Sequence, residues 1–161
     1  MIVVSDTSPI SNLIQIDRLY VLEELYPLLI IPPAVHRELL ALAAFGYNLS
    51  DYEQSEHFTV QHPQNQSAVK HLLNDLDPGE SEAIVLAQEL NAQLLIIDER
   101  LGTQRAKTEG LETIGLVGCL INAKTSGIIP AVLPILDELE TIAGFYLGNR
   151  FRRHVRDLVD E

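Results

Sequence analysis

Apolar residues along the chain follow two spacings that alternate from one end to the other. Runs of consecutive, mostly β-branched apolar residues are typical of buried parallel strands, whereas apolar residues that recur every three or four positions are typical of amphipathic helices. The first spacing predicts strands over residues 1–5, 28–31, 58–61, 94–97 and 112–116. The second predicts helices that begin at Pro9 and Pro33, and further helices over about 17–25, 69–76, 78–90, 102–109, 117–125, 130–142 and 149–159.

Strands that alternate with helices in this way indicate a three-layer α/β/α fold with a mostly parallel central sheet. The chain has 161 residues, of which 47% are apolar, enough to bury a substantial core. It contains no internal repeat, low-complexity run or linker. We therefore expect a single domain over residues 1–161, in which residues 130–161 supply the C-terminal helices.

Several features predict a cytoplasmic protein that has no membrane association. No apolar run approaches the roughly 18 to 20 residues that span a bilayer. The first residues form a predicted strand and lack the basic region of a signal peptide. The single cysteine, Cys119, excludes an intramolecular disulfide framework and a cysteine-rich zinc site.

The charge of the chain is strongly acidic. Its 23 acidic and 11 basic residues give a formal net charge of -12. Affinity for nucleic-acid phosphates comes largely from lysine and arginine, so this balance is unfavourable for a surface that binds RNA throughout. Two interpretations remain open: the acids serve solubility, or some of them form a cluster that needs cations.

The segment 77–100 combines a helix with a strand that ends in an acid. Asp77 is predicted to cap the helix, and Glu80 lies three residues after the cap. Glu80 also precedes Ala83 by three residues and therefore shares the apolar, inward-facing stripe of the helix. The strand that follows leads directly into Asp98. A carboxylate on a core face, close to a second one at a strand end, indicates a chemical site.

Four acids are predicted to meet at one edge of the sheet. In open parallel sheets, ligands bind outside the carboxyl ends of the strands. Asp6 and Asp98 each follow a predicted strand, and Glu38 and Glu80 each lie on the inward stripe of a predicted helix. Carboxylate oxygens suit hard divalent ions such as Mg²⁺ or Mn²⁺. Such an ion can polarise a phosphoryl oxygen and supply hydroxide for attack on a phosphodiester.

Each of these acids also has a purely structural interpretation. An aspartate directly after a strand can cap the next helix, and a glutamate three residues after Asp77 can complete a capping box. A glutamate on an apolar face, such as Glu38, can pack its stem and extend its head to water. Glu82 and Glu99 flank the predicted site and could replace a ligand, but we interpret both as solvated surface residues.

Four motifs in the chain resemble those of PIN domains, in particular prokaryotic VapC-like proteins with a Gly-Glu-x-Glu-Ala-Ile segment. The motifs occupy residues 5–13, 33–39, 77–84 and 95–100, and the resemblance covers about residues 1–124. It implies a PIN-like fold and a Mg²⁺- or Mn²⁺-dependent ribonuclease, which in many bacteria is the toxin of a toxin–antitoxin pair. It also implies RNA as the substrate, an antitoxin protein as a partner, and a homodimer.

The same resemblance implies roles for individual side chains. The catalytic and metal-binding acids would be Asp6, Glu38, Glu80 and Asp98. Ser8 would support the first aspartate, and Asn12 would lie behind the ligands. The third acid is a glutamate where many family members have aspartate, which leaves open whether Glu80 or Glu82 is the ligand and whether one metal or two is held. Glu80 is preferred because it lies eighteen residues before Asp98.

Other functions compete with this interpretation. A catalytically inactive PIN-type module would bind RNA or proteins and use the same acids for structure. A receiver domain also clusters acids at strand ends, but it needs a lysine at the end of a late strand, and residues 112–119 contain none. A Rossmann or P-loop protein is disfavoured because the turn after the first strand has no glycine-rich phosphate cradle.

The last predicted helix is rich in arginine. Phe151, Val155 and Leu158 have the spacing of a buried stripe. The basic residues between them are Arg150, Arg152, Arg153 and Arg156. They form either the solvated face of a docked surface helix or a strip near the acids that contacts RNA or a partner protein. The five histidines show no metal-ligand spacing and receive no role.

Overall fold

A computed structural model describes residues 1–161 and contains one sheet of five strands, in which every neighbouring pair is parallel. The strands are β1 (Val3–Ser5), β2 (Leu29–Ile31), β3 (Phe58–Val60), β4 (Leu94–Ile96) and β5 (Thr113–Ile114). Their order across the sheet is β3-β2-β1-β4-β5, so the first strand of the chain lies at the centre. The predicted fold class is confirmed.

Ten α-helices connect and cover the strands. They are α1 (Thr7–Gln15), α2 (Tyr20–Leu25), α3 (Pro33–Leu40), α4 (Ser50–Gln54), α5 (Gln66–Leu72), α6 (Pro78–Glu89), α7 (Arg100–Thr108), α8 (Leu116–Thr125), α9 (Leu133–Ala143) and α10 (Asn149–Val159). A 3₁₀ turn over Ala41–Phe45 and helix α4 were not predicted, because polar and turn-forming residues interrupt the apolar spacing there. None of the helices is both long enough and apolar enough to cross a membrane.

The sheet separates two apolar cores. Val3 and Ile96 face the core that contains α1, α2, α3, α8 and α9, and Val4 and Leu95 face the core that contains α5, α6 and α7. Because the three inner strands, β1, β2 and β4, are buried on both faces, their sequences are continuously apolar rather than alternating. Helix α6 is buried along most of its length, which fixes the position of its amino end against the sheet.

The inward face of α10 differs from the predicted one. Val155 and Val159 are buried, whereas Phe151 is 46% and Leu158 is 60% exposed. The prediction treated Arg152 as a surface residue, but its side chain is turned toward α9, where its guanidinium pairs with Asp137 and Glu140. The buried stripe is therefore shifted by one residue around the helix, because the long stem of an arginine can pack while its charged head finds a partner.

The carboxyl end of α10 is attached to two other helices. The ammonium of Lys124, in the last turn of α8, donates to the carbonyl of Val159 and pairs with Glu161 at 3.0 Å. The Glu161 carboxylate also accepts from the backbone N–H groups of Val132 and Leu133, at 2.8 and 2.9 Å, where α9 begins. A carboxylate is well placed at a helix amino end. These contacts dock α10 at the carboxyl end of α8.

Candidate functional site

The two aspartates predicted at strand ends lie side by side at the carboxyl edge of the sheet. Asp6 follows β1 directly, donates its N–H to the Ile96 carbonyl at 2.9 Å, and is only 4% exposed. Asp98 follows β4, which is the parallel neighbour of β1, with Ser5 opposite Ile96. Parallel pairing of two strands that each end in aspartate therefore places the two carboxylates at one edge.

Helices α3 and α6 add the two glutamates. The two helices pack against each other beside this edge. The Glu38 carboxylate accepts from the Thr7 hydroxyl and from the backbone N–H of Gly79. Glu80 points inward from the first turn of α6 and is 5% exposed. The charge of Asp6 acts on Glu80, and those of Glu38 and Asp98 act on Asp6. The predicted four acids thus gather around Asp6.

Helix amino ends stabilise most of the acids at this edge. The Asp98 carboxylate accepts from the N–H of Leu116 at 2.8 Å, and Asp6 lies at the amino end of α1, where the Thr7 N–H opposes the rise of its pKa. Glu99 accepts from Gly102 at 3.0 Å at the start of α7. Backbone N–H groups in the first turn have no partner within the helix and favour negative charge. Glu99, predicted only as a solvated residue, caps α7, whereas Asp98, predicted as a possible cap of the next helix, accepts instead from the first residue of α8.

Glu80 is the exception among these acids. Its Oε2 atom is buried and has no hydrogen-bond partner, and the same is true of Oδ2 of Asp98. Asp77 caps α6 by accepting from the Glu80 N–H at 2.8 Å, as predicted, but the Glu80 side chain does not complete a capping box. It lies instead against the backbone of Gly102 in α7. A buried carboxylate oxygen without a donor is costly, which marks Glu80 and Asp98 as sites for a missing positive partner.

Three glycines make room for the carboxylates. A Cβ atom at Gly79 would lie 2.6 Å from Oε2 of Glu38, and one at Gly115 would lie 2.6 Å from Oδ1 of Asp98. A Cβ atom at Gly102 would overlap Oε2 of Glu80. Such contacts are closer than real side chains allow, so each glycine is required for the observed position of one acid. The sequence indicated this only through the Gly79-Glu80 pair of its central motif.

Burial and mutual repulsion raise the proton affinity of the acids. Burial raises the pKa of Asp6 to about 7, with smaller contributions from the charges of Asp77, Glu38 and Asp98 and an opposing one from the Thr7 N–H. Burial, followed by the neighbouring Asp77 carboxyl, raises the pKa of Glu80 well above that of an ordinary glutamate. Burial also raises the pKa values of Glu38 and Asp98. At neutral pH this edge therefore favours bound protons or cations.

Comparison with known families decides what kind of domain carries this edge. A family model described as "DUF3368: PIN domain" matches residues 2–161. The chain belongs to the PIN-domain family. PIN domains are generally nucleases, and PIN-domain nucleases typically use divalent metals. The resemblance seen in the sequence motifs is thereby confirmed, and it extends beyond residue 124.

A solved structure shares the fold of this PIN domain. It is a PilT N-terminus domain protein from the hyperthermophilic archaeon Sulfolobus solfataricus P2, with a TM-score of 0.51 and 21% sequence identity. The match covers 76% of this chain and 93% of that chain. At this level of identity the likeness supports the fold and nothing finer. A search of curated proteins finds no significant match.

The donor chemistry of this PIN domain suits a hard divalent cation. All the predicted ligands offer carboxylate oxygens, and the buried oxygens of Glu80 and Asp98 have no other partner. As the side chains stand, however, no three His, Cys, Asp or Glu residues lie close enough to hold one ion together. Several carboxylates are turned toward helix N–H groups instead. Binding an ion would require side chains to rotate inward, and the half-buried Glu38 and Asp98 are freer to do so than the buried Asp6 and Glu80.

Two residues near the four acids, Thr7 and Asp77, were not predicted from the sequence to belong to the site. Thr7 contacts Glu38 through its hydroxyl, whereas the side chains of Ser8 and Asn12 make no hydrogen bond within the chain. Thr7 thus supplies the hydroxyl that contacts Glu38, whereas the support of Asp6 by Ser8 stays a prediction. Asp77, predicted only as a cap, also faces the predicted ligands, and its charge raises the pKa values of Asp6, Glu38 and Glu80. Asp77 lies outside the apolar stripe of α6, so the sequence pattern did not indicate that it faces the predicted ligands.

Glu82 does not occupy the solvated position that was predicted for it. Its side chain is 14% exposed, and its carboxylate accepts from the Ala34 N–H at 3.2 Å, with the Arg37 guanidinium 4.0 Å away. Glu82 therefore links α6 to the amino end of α3. Glu99, by contrast, is exposed as predicted. Of the two candidates for the third acid, Glu80 is the one that faces Asp6.

The arginines of α10 do not lie near the acids. The carboxyl end of α10 contacts Lys124 at the end of α8, whereas Asp98 contacts Leu116 at its beginning. Arg152 binds Asp137 of α9, and the adjacent Glu138 pairs with Arg18, which follows the carboxyl end of α1. The acids lie at the amino ends of α1 and α8. The predicted strip near the acids is therefore wrong in its location.

Proposed function

We propose that the protein is an endoribonuclease that depends on Mg²⁺ or Mn²⁺ and hydrolyses RNA phosphodiesters. The observation that carries this proposal is the gathering of Asp6, Glu38, Glu80 and Asp98 at the carboxyl edge of the sheet, with two buried oxygens that have no partner. Membership of a family whose members are generally nucleases supports the same conclusion.

The four acids have different roles in this proposal. Asp6, Glu80 and Asp98 hold the metal. Glu38 either binds the metal directly or orients a water molecule, and the hydroxyl of Thr7 holds the Glu38 carboxylate in place. The ion, when bound, supplies Lewis-acid stabilisation of the phosphoryl oxygens and an activated water. Asp77 adds negative charge beside the cluster, which strengthens its attraction for cations. The helix amino ends hold the remaining carboxylate oxygens in place.

The wider biological role is proposed from the family. The protein acts in the cytoplasm as the toxin of a toxin–antitoxin pair, its partners being RNA, an antitoxin protein and a second copy of the chain. The exposed apolar residues Ile142, Tyr146, Phe151 and Leu158 provide a surface for a protein partner. Arg153 and Arg156 line a neighbouring cavity of about 330 Å³ that suits acidic groups of such a partner.

The experiment that tests the function compares the wild type with Asp98→Asn. Mg²⁺ or Mn²⁺ is titrated while thermal stability and cleavage of a mixed RNA pool are followed. The substitution keeps an oxygen that can accept the Leu116 N–H, so the cap of α8 survives while the charge is lost. We expect metal to stabilise only the wild type, and only the wild type to cut RNA. Metal-independent stability together with RNA binding but no cleavage would favour the inactive PIN-type module.

The contact between Thr7 and Glu38 gives a second prediction. Thr7→Val keeps the shape of the side chain but removes its hydroxyl, so Glu38 loses a donor. We expect the affinity for Mn²⁺ to fall by about tenfold, the lower end of the effect of groups that orient metal ligands. Ser8→Ala is the matched control and should leave the affinity unchanged. Calorimetric titration measures both, and equal effects of the two substitutions would contradict the role of Thr7.

A further inference from the structure

A cavity of about 350 Å³ lies on the opposite side of α3 from the acids. Its walls come from α3, α4 and the edge strand β3, and its lining includes His36, Leu40, Tyr52, Glu53, Phe58 and Val60. Phe58 begins β3 and Val60 ends it at the carboxyl edge, so the cavity lies alongside the whole of this strand. Its volume is in the range of pockets that bind small molecules.

Aromatic rings form the inner wall of this cavity. The Tyr52 and Phe58 ring centres are 5.2 Å apart, and those of His36 and Tyr52 are 5.8 Å apart. Nδ1 of His36 is hydrogen-bonded to the Tyr52 hydroxyl at 2.6 Å, which fixes the imidazole and leaves Nε2 without a partner. Leu40 and Val60 are 41% and 42% exposed at the opening. The cavity thus offers the half-buried ring of Phe58, two exposed apolar side chains and a free ring nitrogen, while the buried Tyr52 supports this wall from the core.

Arg37 lies between the cavity and the acids. On an α-helix, His36 and Leu40 share one face, and Glu38 projects from the other side. Arg37 occupies the solvent-exposed arc between them, and its side chain is 69% exposed. Its nearest acidic group is Glu82 at 4.0 Å, a separation at which an exposed pair is weak. A helix is about 10 Å wide with its side chains, a distance that about three stacked nucleotides of a single strand cover.

We propose that this cavity binds an unpaired base of a single-stranded RNA, next to the phosphodiester at the acids, and that Arg37 binds a phosphate between the two. The inference rests on the proposed ribonuclease function and names its substrate class. Bases in a duplex are stacked and paired, so single strands alone can insert a base into such a pocket. Stacking on aromatic rings tolerates any base, because every base has a π face.

Charge around the cavity favours a base over a phosphate as its occupant. Glu53 lies at the rim and repels an anion, but its carboxylate can accept from the amino group of a base. The free Nε2 of His36 supplies a further hydrogen bond to a base edge. Arg37, outside the cavity, is the nearest cation for the phosphate. The base of a nucleotide therefore fits inside the cavity, and its phosphate fits outside, beside Arg37.

The test measures binding of a short fluorescent single-stranded RNA, and of the same sequence as a duplex, to Asp98→Asn protein in Mg²⁺. Leu40→Glu is expected to weaken single-strand binding by about tenfold or more and to leave duplex binding unchanged. Arg37→Gln is expected to weaken binding of all sequences and to reduce the salt slope by about one. Lys70→Gln, an exposed substitution on α5 with the same charge change, serves as the control.

A scan of single abasic positions along the RNA identifies the occupant. Removal of the base at one position should lower the affinity of the RNA for the parent protein, and the same removal should not lower its affinity for the Leu40→Glu variant. If no abasic position matters, or if Leu40→Glu binds like the parent, the base-binding inference is overturned, and a protein side chain becomes the better candidate for the cavity. Wild-type cleavage is measured in parallel. If the RNA is cleaved but no abasic position changes its affinity, the base-binding inference alone is overturned. If an abasic position lowers the affinity but no metal-dependent cleavage occurs, the proposed nuclease function alone is overturned.

Discussion

Glu80→Gln is expected to reduce RNA cleavage by on the order of 10³-fold, the scale on which single charge-stabilising groups act. The same substitution should stabilise the metal-free protein at pH 8. Glu80 is buried, lacks a donor for Oε2 and faces the charges of Asp77 and Asp6, so an uncharged amide relieves repulsion. For a chain of this size, each kcal/mol gained raises Tm by about 2–4 °C. A stable but inactive variant would separate the needs of catalysis from those of folding.

Glu82→Gln is the matched control, two residues away on the same helix. Its amide oxygen can still accept the Ala34 N–H, so we expect nearly unchanged cleavage and a small loss of stability. Cleavage rates under single-turnover conditions and thermal melts of both variants measure the difference. The reverse outcome, in which Glu82→Gln is inactive and Glu80→Gln is active, would assign the third ligand to Glu82.

The metal-free protein is expected to lose stability as pH rises from about 5 to about 9. Burial raises the pKa of Asp6 from 3.8 in an ordinary aspartate to about 7, so the folded chain holds a proton that the unfolded chain releases. Stability is then lost as pH rises between these two values, by on the order of 3–4 kcal/mol for Asp6. Glu80, whose pKa is also raised by burial, continues the loss at higher pH.

Divalent cations should flatten this pH dependence. A bound cation replaces the protons, so Mg²⁺ or Mn²⁺ is expected to stabilise the protein strongly at pH 8 and weakly at pH 5. Thermal melts across this range in chelator and in excess metal measure the effect, and Glu80→Gln should already be flatter without metal. A stability that is independent of pH in chelator would contradict the raised pKa values.

The central part of the site could be predicted from the sequence because it depends on local patterns. Strands that end in aspartate place Asp6 and Asp98 at the carboxyl edge whatever the details of packing. Glu38 and Glu80 interrupt otherwise apolar helical stripes, and such a stripe must face the sheet. The all-parallel sheet follows equally from the alternation of continuous apolar runs with helices.

The remaining features depend on tertiary contacts that have no local signal. Which hydroxyl contacts Glu38, that of Thr7 or Ser8, depends on how α1 meets α3, and the sequence offers two adjacent candidates. Glu82 looks solvated on its own helix and is covered only because α3 packs there. On α10, the buried stripe was shifted because Arg152 finds two carboxylates on α9. In each case a neighbour distant in sequence decides the outcome.

The central position of β1 has a consequence for synthesis on the ribosome. Val3 is made well before its partner Leu94, so the middle of the sheet stays incomplete until β4 has been made. Pairings between residues this far apart in sequence also slow folding. A chain interrupted before Asp98 contains Asp6 and Glu38 but neither β4 nor the helix that caps the second aspartate. The edge that holds the four acids can therefore form only once β4 and the start of α8 have been made.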